Sequence, residues 1–422
     1  MSNQLKVIVS KKDLELVVGR ACLAAMTEEG QSEISKSSNA TRGCVKIKAE
    51  GGRITFESSV SRFSAKHVVE VEGNEDASII SEGETCVPAK ELKTVAAKIP
   101  NGYKVSLNFI PKAEGQDDES LSEGVFEVGG IDGKKTIAKA KIEAYPASHF
   151  ANVKYAEASE ISLIASGKAA CLKEPYDAIA FSINQDDLKE VYDKMAVFQT
   201  GESIIFVGAD GHRCTIVQSK VDAFEKMADS DSAVPVLMES EFIAPVLSSL
   251  ASEDQISFGT HDDSYVYVCS GNTTYRISMV TQELRKKYPN YKRIMSLFSD
   301  GMPTFVFDRK HLAFSIDMLA VVNKDRGMHS FDKSGKIVSM LGRGFATVKE
   351  AAGEVEFEVT NDDGFNGKPI CLHTGYLVEG LKRMSCEKVR MSLTPDGKRV
   401  RIEDEQNPKF LYYMQTMSVN EG

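Results

Sequence analysis

TCVPAKELKTVAAKIPNGYKVSLNF at 85–109, AVPVLMESEFIAPVLSSLASEDQISFGT at 233–260 and PICLHTGYLVEGLKRMSCEKVRMSLTP at 369–395 are three versions of one unit. Each reads as a short strand, an amphipathic helix of about three turns, a polar turn and a second strand. Counted back from Leu107, Phe258 and Leu393, the apolar helix positions recur at matching offsets. They are Leu92, Val95 and Ile99; Ile243, Val246 and Leu250; and Leu377, Leu381 and Met384. That spacing places each trio on one helix face, the face that must be covered by a sheet. A unit that recurs along a chain implies a repeated domain.

Working outward, each copy is followed by alternating strands around a turn: EGVFEVGGIDGKKTIAKAKI, DSYVYVCSGNTTYRISMV and KRVRIEDEQNPKFLYYMQ. The first two copies end alike, AYPASHF at 144–150 and KYPNYKRIM at 287–295, where Pro marks a crossing to the next unit. Upstream, KKDLELVVGRACLAAM, SEISLIASGKAACL and DRKHLAFSIDMLAVVN read as helical openings, followed by strands such as GRITFESSVSRFSAKHVVEV. The fold class is therefore α+β: three repeated domains, each with two helices, antiparallel sheets and roughly eight strands. The expected boundaries are 1–152, 153–296 and 297–422. Two polar stretches, 27–43 and 112–123, read as loops, the second an acidic insertion.

The chain has 422 residues, 42% hydrophobic and 27% charged, proportions of an ordinary globular protein. One core stops growing at roughly 250–300 residues, so this length must divide, as the repeat requires. No apolar run reaches the ~18 residues of a membrane span, and MSNQLKVIVSKKDLEL lacks the pattern of a signal peptide, so a cytoplasmic protein is expected. Cys22, Cys44, Cys86, Cys171, Cys214, Cys269, Cys371 and Cys386 stand singly with no CxxC pair, as reduced, buried thiols do. A net charge of −10 excludes a protein that coats DNA with a globally basic surface. Any contact with DNA must come from a local concentration of cations on an acidic body.

Asp210 and His212, in ADGHRC at 209–214, share one face of a strand at i and i+2 and could be read as the start of a metal or acid–base pair in a hydrolase. No third ligand or nucleophile is patterned with them, and no HExxH, Walker A or GxSxG motif occurs. A protein without catalytic residues, metal or cofactor is the expectation.

VPAKELKTVAAKIP at 87–100, ADGHRC at 209–214, YPNYKRI at 288–294 and YLVEGLKRMSCEKVRMSLTPDGKRVRIED at 376–404 resemble the matching stretches of bacterial-type DNA polymerase III beta subunits, the DNA sliding clamps. The order and spacing match over nearly the whole chain; the last stretch is the most specific. The resemblance implies a processivity factor: a head-to-tail homodimer ring that encircles duplex DNA without reading its sequence and tethers DNA polymerase, clamp loader and other proteins carrying a short motif of Gln-x-x-Leu-Phe type. A monomeric, clamp-like peptide scaffold is the alternative.

Carried over by position, the resemblance implies a peptide-binding groove. The second domain contributes Tyr192, Ala209, Gly211, His212, Arg213 and Cys214, and the crossing adds Pro289, Arg293 and Ile294. The third domain contributes His373, Tyr376, Gly397, Arg399, Tyr412 and Met414. DNA-facing cations are expected at Lys11, Lys12, Arg20, Arg42, Lys90, Lys93 and Lys98, at Lys168 and Lys173, and at Arg309, Lys310, Lys382 and Arg383. The chain departs from the family at its end, where YYMQTMSVNEG replaces a Met-Pro-Met-Arg-Leu-like tail. Such divergence and the acidic insertion fit a phage-encoded or specialised member.

Overall fold

The computed structural model describes residues 4–31, 41, 43–112, 122–132, 135–183, 191–228, 232, 234–322, 328–331, 337–341, 344–347, 357–360 and 370–417. Arg42 and most of the two polar stretches lie outside the described residues.

The described strands fall into three sets of nine. The first set is β1 Lys6–Ser10, β2 Cys44–Glu50, β3 Arg53–Ser59, β4 Phe63–Glu70, β5 Ser78–Ser81, β6 Gly83–Pro88, β7 Lys104–Pro111, β8 Gly124–Asp132 and β9 Lys135–Ala144. The second is β10 Ser162–Lys168, β11 Lys194–Thr200, β12 Ser203–Ala209, β13 Arg213–Lys220, β14 Lys226–Met227, β15 Val236–Glu239, β16 Gln255–His261, β17 Tyr265–Ser270 and β18 Thr273–Ser278. The third is β19 Thr304–Asp308, β20 Met328–Phe331, β21 Ile337–Leu341, β22 Gly344–Thr347, β23 Phe357–Thr360, β24 Ile370–His373, β25 Lys388–Leu393, β26 Arg399–Asp404 and β27 Asn407–Gln415. The helices are α1 Lys11–Arg20, α2 Glu28–Gln31, α3 Ala89–Ala96, α4 Ala170–Ile179, α5 Ser240–Ser249, α6 Gln282–Arg285, α7 Tyr291–Met295, α8 Arg309–Val322 and α9 Thr374–Arg383.

The chain packs as two compact units. One comprises Met1–Ala170, Phe224–Ala228 and Glu241–Val280; the other comprises Cys171–Ala223, Asp229–Ser240 and Thr281–Gly422. The first unit holds a five-stranded sheet, β5-β1-β7-β8-β9, and a nine-stranded one, β14-β10-β16-β17-β18-β4-β3-β2-β6. The second holds β15-β11-β12-β13-β27-β26-β25-β19-β23 and a four-stranded sheet, β22-β21-β20-β24.

The two nine-stranded sheets have the same order, one repeat along. In each, the last strand of one repeat pairs with the fourth strand of the repeat before it: β18 with β4, from Thr273↔His67 to Ile277↔Phe63, and β27 with β13, from Arg213↔Met414 to Val217↔Phe410. All these ladders are antiparallel, and alternation drives them: β3 and β26 bury every second residue.

The α1–α3 pair shows why the helices sit where they do. Ser10 caps α1, accepting from the Asp13 amide at 2.9 Å. Leu14, Val17, Leu92 and Ala96 are fully buried against Phe56, Phe109 and Phe126. Each large apolar side chain so buried contributes roughly 1.5–3 kcal/mol.

The structure corrects the sequence reading in three places. Glu28–Gln31, expected in a loop, form the short helix α2, and residues 210–212, expected on a strand face, form the turn between β12 and β13. SEISLIASGKAACL is not a helical opening: residues 162–168 form β10, laddered to β16, and α4 starts only at Ala170. Each repeat has nine strands among the described residues, in keeping with the roughly eight expected. All eight cysteines are free thiols, six of them buried as expected and two, Cys171 and Cys269, only half-buried. Burial pushes those of Cys22, Cys44 and Cys214 up to about 12, so they are unreactive at neutral pH.

Candidate functional site

The tight turn between β12 and β13 is built by Asp210. One carboxylate oxygen accepts from the amides of His212 and Arg213, both at 2.9 Å, and the other accepts from Arg213 Nε at 2.8 Å. Gly211 takes φ +92°, a left-handed conformation that costs glycine little. The Asp210 carboxylate thus holds the turn and the Arg213 side chain.

Arg213 shares a sheet face with Met414, its antiparallel partner. Its guanidinium stacks 4.2 Å from the Tyr376 ring centre and 5.4 Å from that of Phe181, and Nη1 donates to Glu379. Tyr376 is flanked on α9 by the His373 ring, 4.2 Å away. His373 caps that helix, and its pKa is held below the usual value by burial and by Arg213, so it is neutral at pH 7. Behind them Tyr412, fully buried, donates to the Tyr376 carbonyl at 2.8 Å and lies against Phe181.

The divergent tail belongs to the same construction. Gln415 N donates to the His212 carbonyl at 2.8 Å, Thr416 N to Lys398 O at 2.9 Å and Met417 N to Cys371 O at 2.8 Å. Gln415 Nε2 adds a bond to Gly211 O at 3.0 Å, and Thr416 Oγ1 donates to Gly397 O at 2.8 Å. Glutamine here supplies two donors where a proline would supply none.

The opposite sheet face carries Cys214 with Tyr413 and Ile216 with Leu411. The α6–α7 segment covers it: Tyr291 lies 4.8 Å from the Phe198 ring and Phe298 lies 5.4 Å from that of Tyr413. Beside α7 a cavity of about 460 Å³ is lined by Ile205, Ile216, Tyr291, Met295 and Leu411 among others. That volume suits one or two large apolar side chains within a peptide.

Of the residues expected in a groove, Ala209, Cys214, Tyr412 and Met414 are buried. His212 and Arg293 are exposed. Tyr192, Gly211, Arg213, Pro289, Ile294, His373, Tyr376, Gly397 and Arg399 are half-buried. Tyr192 packs 6.4 Å from Tyr288, at the entry to the crossing. Arg399 N is held by Thr394 Oγ1 at 3.0 Å beside the turn at Gly397. Sequence reasoning missed Phe181, Glu379, Tyr291 and Met295. An apolar or charged residue far along the chain carries no local signal of what it will touch.

The expected DNA-facing cations divide sharply. Lys12, Lys90, Lys93 and Lys98 in the first unit, and Lys310, Lys382 and Arg383 in the second, are exposed. Lys11 is 3% exposed, with Nζ bonded to Ala96 O and paired with Glu15 at 2.9 Å, so it is part of the α1–α3 packing. Arg20 is 9% exposed and tied to Asp254 at 2.6 Å. Lys168 pairs with Glu253 at 2.6 Å, Lys173 is half-buried, and Arg309 Nε donates to Cys386 O at 2.7 Å.

Two helices of eight residues or more and nine strands recur three times among the described residues, with neighbouring repeats spliced into continuous sheets, the arrangement of a clamp fold. Comparison with known proteins agrees. The chain is 21% identical to the beta sliding clamp of Rickettsia bellii, covering 98% of this chain and all of that relative. It is 20% identical to that of Synechocystis, over 77% of this chain and 79% of the relative. Among solved structures, the DNA polymerase III subunit beta from Pseudomonas aeruginosa superposes with a TM-score of 0.74 at 17% identity, over 98% of this chain and 100% of that one. The DNA polymerase sliding clamp from Bacillus subtilis gives 0.74 at 14%, over 99% and 100%. No family model matches the chain. The chain is a divergent relative of the bacterial beta sliding clamps and has their fold. No helix among the described residues is long and apolar enough to cross a membrane.

Proposed function

We propose that this protein is a non-catalytic processivity clamp whose copies close head to tail into a ring around duplex DNA. The observation that carries this reading is the pair of unfinished sheets. Each nine-stranded sheet joins five strands of one repeat to four of the repeat before it; the remaining five-stranded and four-stranded sheets are the two halves of one more such sheet. Their open ends are β9, a mostly exposed strand of ten residues, and β22. Antiparallel pairing of β9 from one copy with β22 of the next completes the same strand order and removes both free edges. Such a contact is heterologous and closes by symmetry at two copies.

On this reading the domains run 1–152, 153–296 and 297–422, each containing one set of nine strands. Lys12, Lys90, Lys93, Lys98, Lys310, Lys382 and Arg383 face the enclosed duplex and supply weak, sequence-independent attraction. The Tyr376–Arg213–His373 cluster forms part of the docking groove for polymerase, clamp loader and other partners. The work is done in the cytoplasm, where replication takes place.

The test has two readouts. Light scattering at micromolar concentration should give twice the 46.2 kDa chain mass. Loaded onto nicked circular DNA by a bacterial clamp loader with ATP, the protein should stay bound through gel filtration and leave when the circle is cut. A stable monomer would favour a peptide-binding scaffold, and equal retention on circular and linear DNA would overturn topological binding.

A further inference from the structure

The seam between β4 and β18 in the first unit contains a second pocket, of about 560 Å³. It is made of the same parts as the site in the second unit: a tight turn (Ser59, Val60, Ser61), a Pro-marked crossing and the last two strands of a repeat. Val60 N donates to Phe63 O at 2.8 Å, as Asp210 N does to Arg213 O at 3.2 Å, so the two turns correspond residue by residue. The interior of the seam differs. Where Arg213 stacks on Tyr376, here Phe63 stacks on Phe242 at 5.5 Å. The cation has moved to the opposite sheet face, where the Arg276 guanidinium lies 3.7 Å from the Tyr265 ring centre.

The lining is apolar and basic. Val60, Phe150 and Tyr265 form the floor; Lys154 and Arg276 supply the charge, and no Asp or Glu among the described residues lines the pocket. Arg276 Nε is buried and has no hydrogen-bond partner. Glu57, with which Arg276 interacts electrostatically, is pushed up to about 6 by its own burial. On a chain of net charge −10, a pocket whose charged lining residues are Lys154 and Arg276, among apolar groups and the neutral polar Thr41, Ser59, Ser61 and Asn152, favours an anionic ligand.

We propose that this pocket is a second docking site, and that it takes an acidic, partly apolar linear peptide of a partner protein. An apolar side chain fills the space between Val60, Phe150 and Tyr265 while a neighbouring carboxylate reaches Arg276 and Lys154. The site lies wholly in the first unit and stands whether or not the chain forms a ring.

The test is fluorescence polarisation with a short fluorescein-labelled peptide of alternating Glu and Leu. It should bind the full chain, and the Gln-for-Glu version should bind more weakly. Lys154→Glu, an exposed change that leaves the fold alone, and Arg276→Gln should each weaken binding by about tenfold, the loss expected for one charge-assisted hydrogen bond. Tyr376→Ala should leave it unchanged, and a photoreactive version should label the 149–154 segment. Equal affinity for the uncharged peptide, insensitivity to both substitutions, labelling beside Tyr376, or displacement by a short single-stranded oligonucleotide would each overturn the proposal.

Discussion

The Arg213 guanidinium lies 4.2 Å from the ring centre of Tyr376, joining a turn of the second repeat to a helix of the third. Asp210 fixes it from behind and Glu379 from the side. A planar cation clamped by two carboxylates makes a rigid shelf for one ring face, so Tyr376 is pre-oriented before any partner arrives.

Replacing Arg213 should therefore cost stability as well as binding. Arg213→Ala strands Asp210, 7% exposed, beside an empty space, and should lower the unfolding free energy by on the order of 2–4 kcal/mol. Arg213→Lys keeps the charge and loses the stacking fork, and should recover only part of it. Thermal unfolding of both variants checks the order.

The proposed peptide groove is best probed at Tyr376. A Gln-x-x-Leu-Phe peptide should bind at about −8 kcal/mol, in the micromolar range, once the cost of ordering it is subtracted. Tyr376→Ala should weaken it several-fold with little change in mass. Met414→Ala is a poorer probe: the side chain is 1% exposed, and its loss should cost about 2–5 kcal/mol of core stability. Isothermal titration beside thermal melts separates the two effects.

Gly380 is required by Tyr412. A Cβ at this position would stand 2.3 Å from Tyr412 Cε1. Gly380→Ala should force the Tyr412 ring off the Tyr376 carbonyl and destabilise the second unit by about 1–3 kcal/mol. An Ala variant with wild-type stability would show that the ring moves freely.

Acid should loosen the β4–β18 seam. His67, bonded to Thr273 at 2.8 Å, is held down to about 4 by burial and by Arg20. Its folded value lies below the unfolded one, so its contribution is complete above about 6.5 and is lost as pH falls toward 4. Glu57, raised to about 6, works in the opposite sense between about 4.5 and 6, but its shift is the smaller. Stability should fall on going from pH 7 to 4.5, by on the order of 2–3 kcal/mol from His67 alone, and His67→Gln should flatten that slope.

DNA affinity should follow the exposed cations and ignore the buried ones. Changing Lys90, Lys93 and Lys98 to Glu should weaken binding to short duplexes and reduce the salt slope by about 0.9 for each phosphate that is no longer neutralised. Arg20→Ala should leave the slope alone, because that charge is committed to Asp254, while reducing stability. Fluorescence anisotropy across a salt series reads both.

What the sequence determined by itself was whatever a local period can carry. The recurring trios headed by Leu92, Ile243 and Leu377 mark a helix face within a single stretch of chain, and their repetition marks three repeats of one unit. The turn at Asp210–Arg213 was not legible: Asp210 and His212 read as neighbours on a strand face, whereas β12 ends at Ala209 and β13 starts at Arg213. The seams were decided only by the tertiary structure. Pairing of β13 with β27 joins residues about 200 positions apart, and the outcome depends on which strand edges remain open once each repeat has folded. That pairing buries Tyr412 and Met414, both expected in the groove, and brings the unpredicted Glu379 and Phe181 to Arg213. Lys11 shows the same limit in one residue: its charge is plain in the sequence, but only the packing of α1 on α3 turns it inward to the Ala96 carbonyl. A side chain's chemistry is local, whereas its exposure belongs to whatever long-range partner covers it.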